Sequence, residues 1–236
     1  MMRGMARILV IDDNRLDRKI AVDSLSHAGF AVDEASDGAS GLRLLYNSRP
    51  DLVLLDVLMP AMDGWQVCER IRELCDVPII MLTSLNREEE MIKGLDLGAD
   101  DFVSKPVSPT QLAARVRAVV RRARSPEIAE RNVVYDDGTL SINAQTHAVK
   151  VAGEPIQLTP TEFRLLVALA NAPEQVHSYE SLLLSVWGPE YVDDIDFLRV
   201  YVWRLRKKLE PNPEKPRWIS TERGFGYRFL NDRGKT

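Results

Sequence analysis

The chain changes its hydrophobic grammar partway along. Up to about residue 122, short apolar runs alternate with stretches of helical periodicity. Arg7–Ile11, Phe30–Ala35, Leu52–Leu55, Val77–Leu82 and Asp101–Ser104 read as strands. Between and after them, Asn14–Ala28, Ala39–Asn47, Gly64–Leu74, Arg87–Leu97 and Pro109–Arg124 read as helices. The first helix is expected to turn Leu16, Ile20, Val22, Leu25 and Ala28 inward, and the third Val67, Ile71 and Leu74. Leu52–Leu55 is apolar on both faces, which suits the centre of a parallel sheet; Phe30–Ala35 alternates and suits a place nearer an edge. Strand–helix alternation with right-handed crossovers predicts a doubly wound α/β domain with five parallel strands.

Beyond this the pattern is different. A linker is expected at 123–131, separating a first domain (1–122) from a second (132–236). Short alternating runs at Val133–Tyr135, Leu140–Asn143, His147–Val151 and Ile156–Leu158, parted by turn residues, predict a small antiparallel sheet. Thr159-Pro160-Thr161-Glu162 is a capping box opening a helix to about Ala170. Helices follow over Tyr179–Val186 and about Asp194–Glu210, then a hairpin over Trp218–Leu230. The second domain is thus α+β.

Composition adds limits. The chain has 236 residues, 45% hydrophobic and 28% charged, as in a soluble globular protein. No apolar run approaches the roughly 18 residues of a membrane span, and no secretory leader is evident, so a cytoplasmic location without membrane contact is expected. Cys68 and Cys75 lie on one predicted helix, and both are expected to be inert buried thiols. The net charge of −4 hides an asymmetry: residues 126–198 carry 3 basic and 12 acidic side chains, and 199–236 carry 11 basic and 4 acidic.

The candidate chemistry sits where the parallel strands end. Ligands of open α/β sheets bind at the carboxyl ends of strands. There the sequence places Asp12-Asp13, Asp56, Thr83-Ser84 and Lys105-Pro106. Acids, a hydroxyl and an ammonium thus converge on one edge, a constellation that four strand ends share. In the second domain, Leu198, Val202, Leu205 and Leu209 make an inward stripe on the helix near 194–210. Val200, Trp203, Arg204 and Lys207 are expected opposite, flanked by Arg199, Arg206 and Lys208. With the hairpin tip at Arg223, helix and cationic loop have the makeup of a winged helix-turn-helix that binds double-stranded DNA. Arg204 is expected to read a base edge, with Val200 and Trp203 making apolar contacts.

In order and spacing, these motifs resemble two-component response regulators of the OmpR/PhoB type over roughly 7–122 and 133–230. The matches are Ile11-Asp12-Asp13, Asp56-x-x-Met59-Pro60-x-x-Asp63-Gly64, Thr83, Gly98-Ala99-Asp100-Asp101-Phe102 and Lys105-Pro106. The effector half adds Leu158–Phe163, Leu205–Leu209 and Arg223-Gly224-x-Gly226-Tyr227. The resemblance implies a flavodoxin-like receiver in which Asp56 accepts a phosphoryl group from a sensor histidine kinase. It implies Mg²⁺ held by Asp13, Asp56 and the Leu58 carbonyl, with Asp12 acting partly through water. Lys105 and Thr83 would bind phosphoryl oxygens, and Phe102 would be the aromatic switch. It also implies a phosphorylation-driven homodimer on tandem promoter half-sites, with RNA polymerase a further partner. Its interface would use Asp96, Asp100, Asp101, Arg115 and Arg122; Met91 and Gln111 stand where the family usually has an ion pair. No enzymatic turnover is implied beyond the chain's own phosphoryl transfer and autodephosphorylation. Apolar Leu58 and Leu85 beside the pocket predict a long-lived phosphate.

Other classes fit less well. An aspartyl-nucleophile phosphatase wants a second Asp two residues after the first, and Leu58 stands there. A dinucleotide-binding enzyme needs a Gly-rich turn where Asp12-Asp13-Asn14 is found. A regulator that binds DNA without phosphorylation remains the alternative.

Overall fold

A computed structural model describes residues 5–84, 88–124 and 134–231. The chain divides into two compact units, Met1–Ala123 and Arg124–Thr236. Most of the expected linker, Leu85 and the side chain of Met91 lie outside the described residues.

Unit 1 alternates β1 (Arg7–Ile11), α1 (Arg15–His27), β2 (Ala31–Ala35), α2 (Gly38–Ser48), β3 (Leu52–Asp56), α3 (Gly64–Leu74), β4 (Ile79–Thr83), α4 (Glu88–Asp96), β5 (Asp101–Ser104) and α5 (Pro109–Arg124). The strands form one sheet in the order β2-β1-β3-β4-β5, with the described pairings all parallel. β3 is central and buried at every residue, as its unbroken apolar run requires, and β2 is at the edge. The two-residue period of the strands splits the core between two faces. Ile8, Val10, Leu52, Leu54, Ile80, Leu82 and Val103 share one cluster with Ala21 and Leu25 of α1 and Leu112, Val116 and Val119 of α5. On the other face a Cβ added to Gly41 of α2 would lie 2.5 Å from Ile11, and one on Gly94 of α4 would lie 2.9 Å from Met81.

Some inward assignments do not hold. Leu16 is 66% exposed, and Ile20 and Leu74 are exposed as well. α1 is covered along one stripe only, and Ala21 and Leu25 fill it. Cys68 is buried, but Cys75 is exposed because α3 ends at Leu74 and the chain leaves the helix there.

Unit 2 begins with β6 (Val134–Asp136), β7 (Leu140–Asn143), β8 (Ala148–Val151) and β9 (Glu154–Pro155), an antiparallel sheet in chain order. β9 falls ahead of the expected Ile156–Leu158 run. Ala152 and Gly153 both have positive φ (52° and 86°), so a two-residue turn pairs Glu154 directly with Val151. There follow α6 (Pro160–Ala170), β10 (Val176–Ser178), α7 (Tyr179–Val186), a 3-10 turn (Pro189–Tyr191), α8 (Ile195–Leu209), β11 (Ile219–Glu222) and β12 (Gly226–Phe229). The Thr159 capping box on α6 is complete, with Thr159 and Glu162 each satisfying the other's backbone amide. β11 and β12 form the expected hairpin, and β10, too short and polar to register as a strand, pairs with β12. Gly226 is required there: a Cβ would lie 1.9 Å from the His177 carbonyl oxygen.

Candidate phosphoacceptor pocket and nucleic-acid interface

The carboxyl edge of the parallel sheet gathers the expected groups. Asp56 is the last residue of β3 and is buried; Asp12 directly follows β1 and is also buried, while Asp13 beside it is exposed. The three carboxylates offer oxygens that all lie within 4.8 Å of one another. Local interactions hold the two loops. Asn14 caps α1 by accepting from the amides of Leu16 and Asp17, and its own amide donates to Asp12 Oδ1 at 2.8 Å. Arg18 Nη1 donates to the Asp12 carbonyl at 2.6 Å. Asp63 and Gln66 form a capping box at the start of α3, and Gly64 lets that start close against the strand end. A Cβ at Gly64 would sit 2.2 Å from the Asp56 carbonyl oxygen.

Lys105, immediately after β5, reaches into the same pocket. Its ammonium donates to Asp56 Oδ1 at 2.8 Å, Asp12 Oδ2 at 2.9 Å and Asp17 Oδ2 at 3.1 Å. Burial pushes the Asp56 carboxyl up from its ordinary value, the hydrogen bond from Lys105 opposes this, and the charges of Asp12 and Asp13 add to the rise. Burial alone would lower the Lys105 ammonium, but its bonds to Asp56 and Asp12 outweigh it and hold the proton more tightly than usual. Thr83 closes β4, the strand beside Asp56, with its side chain buried. Phe102 is buried in β5, close to Gly94, whose surroundings include Trp65 and Met81. Leu58 is exposed in the loop after β3.

Three oxygen-donor carboxylates, two buried and one open to solvent, are the donor set of a hard divalent cation such as Mg²⁺, so the residues present fit one. Sequence reading missed Asp17 and Arg18. Asp17 lies in the first turn of α1, three residues past the Asn14 cap that follows Asp12-Asp13, and that proximity was visible in the sequence.

The residues expected at a dimer face divide. Asp96 and Gln111 are exposed. Asp100 instead turns into its own unit, pairing with Arg72 at 2.9 Å and accepting from the Ile79 amide at 3.0 Å. Asp101 is fully buried and pairs with Arg115 at 3.4 Å; Arg122 is buried too. In the single chain Asp100 and Asp101 thus each have a partner within their own unit.

On α8 the outward face is narrower than expected. Val200 and Arg204 are 4% and 3% exposed, which corrects their assignment to the outer surface. α8 is covered from more than one side. It packs on α6 and α7, and Trp187, Phe197 and Tyr201 form edge-on aromatic contacts along it. Arg204 pairs inside with Glu162 of α6 at 3.0 Å, and Lys208 reaches the same carboxylate at 2.6 Å. Arg206 donates to the Ile219 carbonyl and the Thr221 hydroxyl, tying α8 to the hairpin. The exposed stripe is Asp196, Arg199, Trp203 and Lys207, with Trp203 39% exposed and the Lys207 ammonium 3.6 Å from its ring centroid. Arg223 and Phe225 are exposed at the hairpin tip.

Comparison with known proteins agrees with this geometry. Residues 8–117 match the response regulator receiver domain, and residues 153–229 match the C-terminal domain of transcriptional regulatory proteins. The chain is 40% identical over 227 residues to the DNA-binding dual master transcriptional regulator RpaA of Synechocystis, covering 94% of each. It is 43% identical over 222 residues to the DNA-binding response regulator MtrA of Mycolicibacterium smegmatis, covering 94% of this chain and 96% of that one. Among solved structures it is similar to DrrB, a Thermotoga maritima OmpR/PhoB homologue, with TM-score 0.51 and 32% identity, covering 96% of this chain and all (100%) of that one. A RitR mutant gives TM-score 0.71 at 28% identity, covering 96% of this chain and 99% of that one. No helix among the described residues is long and apolar enough to cross a membrane. A receiver sheet ending in an acidic, lysine-bridged pocket, followed by a transcriptional-regulatory domain, places this chain in the response-regulator family, among two-component regulators of the OmpR/PhoB type.

Proposed function

We propose that the chain is a cytoplasmic, phosphorylation-controlled transcription regulator in which Asp56 takes a phosphoryl group from a sensor histidine kinase. The observation that carries this is Asp56 itself: a buried carboxylate at the end of a central strand, bonded at 2.8 Å to Lys105 and beside two further carboxylates. An Asp56 oxygen forms the new P–O bond as the P–N bond of phosphohistidine breaks. The departing imidazole keeps the electron pair and takes a proton from solvent.

Phosphoryl transfer depends mainly on positioning and charge neutralisation. Lys105 stays protonated because its carboxylate partners hold the charge, so it brings a full positive charge to the phosphoryl oxygens. The Thr83 hydroxyl would donate to one of them. A divalent cation held by Asp12, Asp13, Asp56 and the Leu58 carbonyl would supply the remaining neutralisation. Phe102 lies one strand from Thr83 and against α4 at Gly94, so it is suited to carry a change at the pocket towards α4. The α4–β5–α5 face, with Asp96 and Gln111 exposed, would then pair with a second copy on a two-fold axis.

In the effector unit, α8 would enter the major groove by its Arg199, Trp203 and Lys207 stripe, with Arg223 of the hairpin contacting the minor groove or backbone. Relatives named as DNA-binding regulators support this. Beyond its own phosphoryl transfer and its loss, the chain would turn over no substrate. The test is sedimentation and promoter-DNA binding before and after treatment with Mg²⁺ and a small phosphodonor. Dimerisation with tighter DNA binding is expected; a phosphorylated monomer with unchanged affinity would refute the control mechanism.

A further inference from the structure

An ammonium has three N–H donors, and Lys105 has all three engaged by carboxylates: Asp56, Asp12 and Asp17. Two of these partners belong to the pocket already described. Asp17 does not. It comes from the first turn of α1, its side chain is 38% exposed, and among the described residues Lys105 is the one partner of its carboxylate.

When Asp56 carries a phosphoryl group, the donor now on Asp56 Oδ1 can pass to it, and a second bond from the ammonium requires that Asp12 or Asp17 give way. Asp12 is the harder one to release, being 3% exposed at its side chain and held at its other oxygen by the Asn14 amide. Asp17 sits at the solvent side of the pocket, and water can take over its solvation when Lys105 leaves. We propose that Asp17 is a positioning residue for phosphoryl transfer, occupying the third donor of Lys105 in the resting pocket and competing with the incoming phosphoryl group for it. The same extra negative charge has a second effect. It strengthens the pull of the pocket on a divalent cation while opposing a dianionic phosphoryl group.

The inference rests on the reading of Asp56 as phosphoacceptor, and it carries a signature that mere damage to the site would not produce. Asp17→Asn keeps the shape and removes the charge, so its effects on cation and phosphoryl group have opposite signs. On the full chain, Mg²⁺ affinity is measured by calorimetry and phosphorylation rate by mass spectrometry with acetyl phosphate at saturating Mg²⁺. Asp17→Asn is expected to bind Mg²⁺ weaker by roughly three- to tenfold and to be phosphorylated faster by a similar factor, as for a partly exposed charge pair. Asp23→Asn, which removes a carboxylate from the same helix that pairs with Lys19 at 3.4 Å, is the control and should change neither. Unchanged values in Asp17→Asn, slower phosphorylation, or equal effects in Asp23→Asn would overturn the proposal. If wild type and both variants take up no phosphoryl group while binding Mg²⁺, it is the phosphoacceptor reading that fails, and this proposal with it.

Discussion

Arg204→Ala is expected to act on stability and leave the choice of DNA sequence unchanged. Arg204 is 3% exposed and faces Glu162, which has no exposed surface. Removing one member of a buried pair typically costs about 3–5 kcal/mol, because the other charge is left without its counter-ion. Here Glu162 keeps Lys208 at 2.6 Å and the Thr159 amide at 2.8 Å. That places the cost at the lower end, about 3 kcal/mol. For a unit of about this size each kcal/mol lowers Tm by about 4 °C, so a drop on the order of 12 °C is expected. Calorimetry on the full chain reads the effector transition directly. Binding to a panel of single-base operator variants, well below Tm, reads specificity. The same scan on Lys207→Ala should show stability within about 0.5 kcal/mol of wild type. An Arg204→Ala protein of unchanged Tm that loses discrimination at one base pair would show that Arg204 reaches the DNA, and would refute the buried-anchor account.

Three further outcomes follow from the same geometry. Arg199→Ala and Lys207→Ala should each weaken binding to all sequences alike and reduce the slope of log affinity against log salt by about 1; a slope unchanged in both would remove the exposed stripe from the interface. Because burial raises the Asp56 carboxyl, the folded chain holds that proton more tightly than the unfolded one. Its contribution to stability is present below the unfolded value and lost as pH rises through the raised native value. Asp56→Asn should therefore melt higher than wild type at neutral pH, with the difference shrinking on acidification; a lower Tm for the variant at neutral pH contradicts this. Finally, exposed Leu58 beside Asp56 cannot orient a hydrolytic water, so Leu58→Asn should shorten the lifetime of the phosphorylated form. An unchanged decay rate argues that the loop does not control water access.

The receiver was legible because its signals are redundant. A strand such as Leu52–Asp56, apolar on both faces and ending in a carboxylate, admits few readings, and β1, β4 and β5 also end at or next to pocket residues. The pocket followed because strand ends are fixed by topology. What failed were inferences about which side of a helix is covered. An apolar stripe shows that one side is buried but not that the opposite side is free. On α8 the stripe of Leu198, Val202, Leu205 and Leu209 was right, yet contacts from α6, α7 and the aromatic cluster also cover Val200 and Arg204. The pairing of Asp100 with Arg72, 28 residues away on α3, is another contact to which no local pattern points. β10 escaped because three residues pairing with a strand some 50 positions later carry no periodicity of their own.

The most direct test of the account is the mass of the intact chain after incubation with Mg²⁺ and a small phosphodonor. Wild type should gain one phosphoryl group, acid-stable enough to map to the peptide containing Asp56, and omitting or chelating the metal should prevent the gain. Asp56→Asn should gain none under the same conditions. One phosphoryl group per chain on Asp56→Asn, or none on wild type, would contradict the assignment of Asp56 as the phosphoacceptor.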